Sequence, residues 1–303
     1  MNQPPLVVSD DVALALATKR PVVALETTIV SHGMPWPQNI ETALAVEDDV
    51  RKGGALPAAI AVIGGKIRVG LDRTTLESLA KAKDVLKLSS ADLAYGITAG
   101  RMGATTVAAT MIAAKLAGIG VFATGGIGGV HRGAETTFDI SADLTELART
   151  GVVVVCAGAK ALLDIPKTLE YLETLGVPVV AYGSDAFPAF WSRDSGLRAP
   201  IRLDDVGAVA RFVRARNELS LPGGVLVANP IPVADEIPAA EMRPAIAAAV
   251  ADAATAGITG KAVTPHLLDA ILKKTGGRSL TANIALIRNN ARLAAGIAVA
   301  MAG

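Results

Sequence analysis

Residues 151–160, with the sequence GVVVVCAGAK, constrain the fold of this chain more than any other stretch. Four consecutive valines and Cys156 are apolar on both sides of an extended chain, so they predict a strand that is buried on both faces. The stretch ALLDIPKTLEYLETLG follows and has the apolar spacing of a helix. Lys160 is therefore predicted to lie between a buried strand and a helix.

That position favours a functional interpretation of Lys160. Ligands in open α/β sheets bind outside the carboxyl ends of the strands. Ala157, Gly158 and Ala159 would leave little side-chain bulk around the amine. A desolvated lysine loses its proton more readily and can attack a sugar carbonyl to form a Schiff base. The alternative is a solvated lysine in the first turn of the helix, and this local pattern leaves both open.

Strands and helices alternate along most of the chain. The predicted strands are 22–30, 58–63, 67–71, 120–123, 177–182 and 224–228, with 84–89 as a strand or extended edge. The predicted helices are 38–52, 74–82, 105–117, 204–219, 239–256, 265–275 and 280–301. This alternation predicts a three-layer α/β/α fold, with a largely parallel or mixed central sheet and a helical C-terminal region packed on it. No linker divides the chain, so we expect one domain over 1–303.

Composition limits the classes of function. The 303 residues are 51% hydrophobic but only 3% aromatic, and the net charge is +1. The lack of a basic arm argues against nucleic acid or an anionic membrane surface as a partner. The single cysteine cannot form an internal disulfide, and no apolar run approaches about 20 residues without a charge or breaker. We therefore expect a cytoplasmic protein with no membrane span.

Glu26 and three residues near a glycine-rich stretch are candidates for chemistry. Glu26 interrupts the apolar run PVVALETTIV, where a buried carboxyl would suit a general acid; the alternative is a glutamate that reaches solvent at the end of the strand. Asp139 and Asp143 flank Ser141, and both could ligate a hard cation. One of them could instead cap a helix that begins near residue 144, and Ser141 is an equally plausible cap.

The glycine-rich stretch TGGIGGVHRG and two other segments suggest a polar ligand. Its glycines, followed by His131, suit close approach of backbone N–H groups to a phosphate. Lys87 could clamp a substrate phosphate, although a solvated lysine at a strand edge is the commoner case. The polar side chains of the last helix either make specific contacts or face water. They are Asn283, Asn289 and Asn290.

Several long segments together resemble one family, the pseudouridine-5′-phosphate glycosidases, also called indigoidine synthase A-like proteins. The matching segments include ALETTIVSHGMPWPQN, GATTVAATMIAAKLAGI, VFATGGIGGVHRGAETTFDISADL, VVCAGAKALLDIPKTLEYLETLGVPVVAYGSDAFPAFW and SLTANIALIRNNARLAAGIA. They extend from about residue 20 to the C-terminus. The resemblance implies an α/β/α fold and a homotrimer. It also implies a metal-dependent enzyme that reversibly converts pseudouridine 5′-phosphate and water into uracil and ribose 5-phosphate.

The resemblance also implies roles for individual residues. Lys160 matches the lysine that attacks C1′ of the sugar and holds the opened ribose as a Schiff base, and Glu26 matches the proton donor. Asp139 matches the aspartate that holds Mn²⁺, or another divalent cation such as Mg²⁺, largely through water. The positions that match substrate contacts are Lys87, Val107 through its backbone, Ser141, Ala142, Asp143 and, at the phosphate, Asn283. His131 is expected near the substrate, without an assigned role.

Two other functions remain open at the level of sequence. A class I aldolase-type lyase could use Lys160 on another phosphosugar. A phosphosugar sensor could keep the glycine-rich loop without the chemistry.

Overall fold

The computed structural model of the protein describes residues 4–258, 260 and 263–303. Within these residues, eleven strands form one sheet. The strands are β1 (Leu6–Val8), β2 (Val22–Leu25), β3 (Leu56–Ile63), β4 (Lys66–Val69), β5 (Leu86–Leu88), β6 (Gly103–Thr105), β7 (Val121–Ala123), β8 (Val153–Cys156), β9 (Val179–Tyr182), β10 (Ile201–Leu203) and β11 (Val225–Ala228). The α-helices are α1 (Asp10–Ala17), α2 (Gln38–Lys52), α3 (Arg73–Lys81), α4 (Leu93–Thr98), α5 (Val107–Ala117), α6 (Ala134–Thr137), α7 (Ala142–Arg149), α8 (Ile165–Thr174), α9 (Val206–Glu218), α10 (Ala239–Thr255), α11 (Val263–Lys274) and α12 (Arg278–Ala302).

The sheet is mixed, with a long parallel part. Its strand order is β1-β4-β3-β2-β7-β8-β11-β9-β10, with β6 against β3 and β5 beside β6. All neighbours from β3 through β2 to β10 are parallel. The second half of β3 pairs antiparallel with β4. Helices cover both faces, so the predicted α/β fold with a mixed sheet is confirmed.

The valine strand β8 lies in the parallel part of the sheet, between β7 and β11. Its residues are buried, as are those of β2, β7 and β11. Burial on both faces explains why these strands are continuous apolar runs rather than alternating ones. The prediction of a fully buried strand before Lys160 is therefore confirmed.

The last helix, α12, packs on this buried part of the sheet. It contacts β2, β7 and β8, and it lies beside α2 and α9. By length and composition alone, α12 could cross a membrane, since it has 25 residues and a mean hydropathy of 1.2 in its most apolar part. Here its apolar residues pack in the protein core, and its Arg288 and Arg292 both bind Asp49 of α2.

The order of the strands reverses around β2. The chain passes from β2 to β3 on one side, whereas β7 and then β8 lie on the other side. β2 and β7 are parallel neighbours, and the chain leaves them toward opposite edges of the sheet. A crevice therefore opens at their carboxyl ends. Ligands of doubly wound sheets bind at such a switch point.

Two predicted elements are shorter than expected. The strand predicted at 22–30 ends at Leu25, because Val30 and Ser31 turn back to donate to the carbonyl of Thr27, and a π-helical turn follows at Ile29–Gly33. Glu26 therefore follows the strand instead of interrupting it. The helix predicted directly after Lys160 begins only at Ile165, because Asp164 accepts a hydrogen bond from the backbone N–H of Lys167 and caps it. Lys160 is consequently not in the first turn of a helix. The sequence did not predict β1, α1, α4, α6, β6 or β10.

Candidate active site

A cavity of about 370 Å³ lies at the carboxyl ends of β2, β7 and β8. All residues that the sequence predicted as site residues line this cavity. They are Glu26, Lys87, Val107, His131, Asp139, Ser141, Ala142, Asp143, Lys160 and Asn283. Residues from α11 and α12 complete its wall, among them Leu268 and Leu286. The fold thus gathers into one place residues that are more than 250 positions apart in the sequence.

Glu26 is held in the cavity by two threonine hydroxyls. Thr28 donates to one carboxylate oxygen, Oε2, and Thr124 donates to the other, Oε1. Thr124 directly follows β7, and Leu25 pairs with Ala123, so the strand register brings Glu26 and Thr124 side by side. The Glu26 carboxyl is half-buried and fixed in orientation, which suits a group that must meet one atom of a substrate.

Lys160 reaches the cavity through a tight turn after β8. Its backbone N–H donates to the carbonyl of Ile127 at 3.1 Å. Gly158 has a φ of +87°, and a Cβ at that position would lie 2.5 Å from the carbonyl oxygen of Pro188. Only glycine fits there without strain. The turn therefore fixes the backbone that carries the Lys160 amine. Gly158 is required in the sequence before the lysine because a larger residue would not fit this turn.

Asp143 is buried and joins three elements through backbone hydrogen bonds. Its Oδ1 accepts from the N–H of Ala108 in α5 at 2.9 Å, and its Oδ2 accepts from the N–H of Gly128 at 2.8 Å. Ser141, one of the alternatives that the sequence left open, is the N-cap of α7. The N–H of Gly128 is thus engaged by a carboxylate, so the expected approach of this N–H to a phosphate is not what the structure shows.

Two helix N-termini open onto the cavity. Val107 is the first residue of α5, after its cap Thr106, and Ala142 is the first residue of α7. The amino ends of helices carry partial positive charge, which favours anions. At α5 the N–H of Ala108 is already bound by Asp143, which leaves the N–H of Val107 as the donor nearest the helix start. This end of the cavity suits a phosphate.

Basic side chains surround the same space. The pKa of His131 lies below its usual value because the ring is buried and because Lys160 and Lys87 are near, although Asp139 opposes the shift. Burial also lowers the pKa of His32, and Lys87 adds to that effect. Both imidazoles are therefore predominantly neutral at pH 7.

Asp139 is the residue that the resemblance assigns to the metal. Its side chain is 42% exposed, and its Oδ2 lies 3.8 Å from Nδ1 of His131, too far for a hydrogen bond. Over the described ranges 4–258, 260 and 263–303, no three His, Cys, Asp or Glu side chains are grouped as a metal cage. One accessible carboxylate fits a hard cation that keeps most of its waters, and it does not fit a closed structural site.

Comparison with known proteins identifies the family. The family model described as indigoidine synthase A like protein matches residues 11–300. The chain belongs to this family. A relative from Solibacter usitatus named pseudouridine-5′-phosphate glycosidase is 64% identical over 97% of this chain and 98% of its own length. A relative of the same name from Methylobacterium nodulans is also 64% identical, over 100% of this chain and 90% of its own length.

Two solved structures share the fold. The prealnumycin C-glycosynthase AlnA, in complex with ribulose 5-phosphate, is 42% identical, with a TM-score of 0.92. An indigoidine synthase A-like protein from Thermotoga maritima is 34% identical, with a TM-score of 0.90. Each similarity covers 100% of this chain and 98% of the other.

Sequence reasoning missed several residues of this indigoidine synthase A-like site. Thr28 and Thr124 hold Glu26, and His32 and Phe190 line the cavity. Thr124 could have been found from the pairing of β2 with β7, but that pairing is not visible in the sequence.

The three asparagines of α12 do not all face water. Asn283 accepts a hydrogen bond from the indole of Trp191 at 2.6 Å, Asn289 donates to the carbonyl of Pro230, and Asn290 is fully buried.

Proposed function

We propose that the protein reversibly cleaves the carbon–carbon glycosidic bond of pseudouridine 5′-phosphate, giving uracil and ribose 5-phosphate. One observation carries the proposal: Lys160 and Glu26 line the same cavity, at strand ends, together with two helix N-termini that suit a phosphate. The names of the relatives and the phosphosugar in AlnA support the same substrate class. In the cell, this reaction would serve pseudouridine catabolism in the cytoplasm.

The base is joined to the sugar through carbon, so a lysine adduct is needed to release it. The amine of Lys160 bonds to C1′ as the C1′–O4′ bond breaks, and the proton lost by nitrogen goes to O4′. Glu26 then protonates C5 of the base. The C1′–C5 bond breaks, its electron pair restores the C5–C6 double bond of uracil, and the nitrogen lone pair forms a C1′ iminium. Water hydrolyses the iminium to ribose 5-phosphate, and the proton released returns to Glu26.

The other cavity residues bind and orient the substrate in this proposal. The phosphate lies at the N-termini of α5 and α7, near the backbone of Val107, Ser141 and Ala142, where the dipoles favour it. Asn283 also contacts the phosphate, since its Oδ1 accepts from Trp191 and its amide nitrogen donates. The substrate contacts further include Lys87, Asp143 and His131. Asp143 contributes chiefly by holding Gly128 and α5 in place.

Asp139 would hold Mn²⁺, or Mg²⁺, largely through water. Such an ion would supply positive charge that neutralises and orients the anionic substrate.

The test is to incubate the protein with pseudouridine 5′-phosphate and Mn²⁺ and to measure uracil by chromatography. Uridine 5′-phosphate is the matched control, because it differs in having a carbon–nitrogen bond. We expect uracil from the first nucleotide only, and pseudouridine 5′-phosphate when uracil and ribose 5-phosphate are supplied instead. Equal or faster cleavage of uridine 5′-phosphate contradicts the proposal.

Borohydride trapping with ribose 5-phosphate, together with the uracil assay, separates the alternatives. Ribose 5-phosphate that can be trapped on Lys160, without release of uracil, points to an aldolase-type lyase. Binding of ribose 5-phosphate with neither adduct nor turnover points to a sensor.

A further inference from the structure

Asn290 is a buried amide in the last helix whose partners all lie at strand ends. Its side chain is 0% exposed, in a helix whose other buried side chains are mainly apolar. A buried amide is costly unless its donors and acceptor have partners. Nδ2 of Asn290 donates to the carbonyl of Thr124 at 2.8 Å and to that of Gly125 at 3.3 Å, and Oδ1 accepts from Nδ2 of Asn229 at 3.1 Å.

These bonds tie α12 to the switch point of the sheet. Thr124 and Gly125 follow β7, and Asn229 follows β11. The amide of Asn290 thus holds the peptide between Thr124 and Gly125 on one side, while Asn229 orients that amide from the other.

The peptide that Asn290 holds carries a hydroxyl that binds Glu26. Oγ1 of Thr124 donates to Oε1 of Glu26, while Thr28 donates to Oε2. Because the Thr124 side chain projects from this peptide, the direction of its hydroxyl depends on the backbone that Asn290 fixes. Asn290 itself is not among the described residues that line the cavity, so its effect on the reaction is indirect. Of the two residues whose carbonyls it binds, Thr124 is the one that also binds Glu26.

We propose that Asn290 is a positioning residue for Glu26, acting through the carbonyls and the hydroxyl of the Thr124–Gly125 segment. The inference rests on the proposed function, in which Glu26 transfers protons to and from the substrate. The amide is needed because it donates to two carbonyls while accepting from Asn229. A carboxylate would repel those carbonyls, and an apolar side chain would leave Asn229 and the Thr124 carbonyl without this partner.

The experiment measures kcat and KM for pseudouridine 5′-phosphate in Asn290→Ala, Thr124→Val and the double variant. A shift of a catalytic group costs up to about 100-fold in rate, so we expect kcat of Asn290→Ala to fall about 10- to 100-fold. KM should change little, because substrate contacts remain. Thr124→Val should lower kcat comparably. The double variant should be no slower than the slower single variant, because both changes remove the same interaction.

Asn289→Ala is the matched control. Asn289 is the preceding residue of α12, and it donates to the carbonyl of Pro230 rather than to the β7 loop. Its kcat should stay close to that of the wild type.

Several outcomes would overturn the inference. Multiplicative losses in the double variant would show that Asn290 does not act through Thr124. A rise in KM without a fall in kcat, or an unchanged kcat in Asn290→Ala, would also overturn it. If Asn290→Ala does not fold, Asn229→Ala takes its place in the same cycle, because it frees the Asn290 amide to rotate. Wild-type protein without turnover would overturn the proposed function together with this inference.

Discussion

At the scale of single residues, the proposed chemistry depends first on the amine of Lys160. We expect borohydride with ribose 5-phosphate to add one reduced sugar phosphate per chain, attached at Lys160. Lys160→Arg should fold and keep its positive charge but should not turn over, because the guanidinium stays protonated and cannot form the imine. Peptide mapping by mass spectrometry locates the adduct, and steady-state assays measure the loss.

Lys167 provides the control for this experiment. It lies in α8, seven residues further along, where it pairs with Glu135 and Asp164 on the surface. Lys167→Arg should still be trapped at Lys160. An adduct on another lysine, or substantial turnover by Lys160→Arg, would disprove the covalent mechanism.

Glu26→Gln should fold normally and lose most of its turnover. Glutamine keeps the shape of the side chain and can still meet the hydroxyls of Thr28 and Thr124, but it has no proton to transfer. General acid–base catalysis is worth about 10²–10⁴-fold, and we expect kcat to fall within that range. Glu47→Gln is the control, since Glu47 is a buried glutamate that pairs with Arg51 and does not line this cavity. A Glu26→Gln variant within a few-fold of the wild type would assign Glu26 a structural role.

Asp139→Ala should weaken metal binding more than it affects the fold. Loss of even an outer-shell partner of a metal ligand costs about 10- to 100-fold in affinity, so we expect the Mn²⁺ concentration for half-maximal activity to rise at least about 10-fold. Glu135→Ala is the control, because Glu135 lies in α6, four residues before Asp139, and pairs with Lys167. If both variants respond to Mn²⁺ like the wild type, with unchanged rates, Asp139 is not the metal ligand.

At the scale of secondary-structure elements, the sequence predicted those helices and strands whose signals lie close together along the chain. The helix at 38–52 and the strand before Lys160 were found because their apolar patterns and glycine boundaries lie within a few residues of each other. The contacts of Asp143 and Asn290 could not be found in that way. Their partners are 35 and 166 residues away, and they become visible only when β7, α5 and α12 have been placed.

The pairing of α2 with α12 is a further long-range contact of this kind. Asp49 is buried between the two helices, and Arg288 and Arg292 bind its carboxylate at 2.6 and 3.2 Å. Burial alone would raise the pKa of Asp49, but the hydrogen bonds from both arginines outweigh it, and the pKa lies below its ordinary value. The ionised form is therefore stabilised by folding.

This shift predicts how stability changes with pH. The pKa of Asp49 is lower in the folded than in the unfolded protein. Its ionised carboxylate therefore contributes fully to the free energy of unfolding above the ordinary carboxyl pKa, and this contribution is lost as the pH falls through the folded pKa. Asp49→Asn should lower the free energy of unfolding by about 1–2 kcal/mol at pH 7, since the arginines are partly exposed. The difference from the wild type should shrink in urea titrations at about pH 3. Asp48→Asn is the control, because Asp48 forms a surface pair with Lys52. If the difference in the free energy of unfolding between the wild type and Asp49→Asn does not change with pH, the ionised Asp49 carboxylate is not what stabilises the fold here.

At the scale of the whole molecule, the cavity draws its wall from most of the fold. Glu26, Asp143, Lys160 and Asn283 come from four separate parts of the chain, and each was predicted as a site residue from its segment. The rule for strand ends predicted the place of Lys160, whereas the substrate contacts of Asp143 in α7 and Asn283 in α12 were implied only by the resemblance. The homotrimer and the single domain over 1–303 stay predictions. Light scattering would test the assembly, since a trimer contains three chains of 30.8 kDa.

Because the cavity is built from so many elements, binding at this site should stabilise the whole fold. A ligand that binds only the folded chain adds about 2.7 kcal/mol at 100 times its Kd, which raises the Tm of a domain of this size by several degrees. We expect this shift with ribose 5-phosphate, because the proposed function places its phosphate at the N-termini of α5 and α7 and its aldehyde at Lys160. Ribose without phosphate is the control and should give a much smaller shift. Lys160→Arg should keep part of the shift, since the phosphate contacts remain when the imine cannot form. Equal shifts with both sugars, measured by calorimetry at matched concentrations, would mean that the helix N-termini do not bind the phosphate.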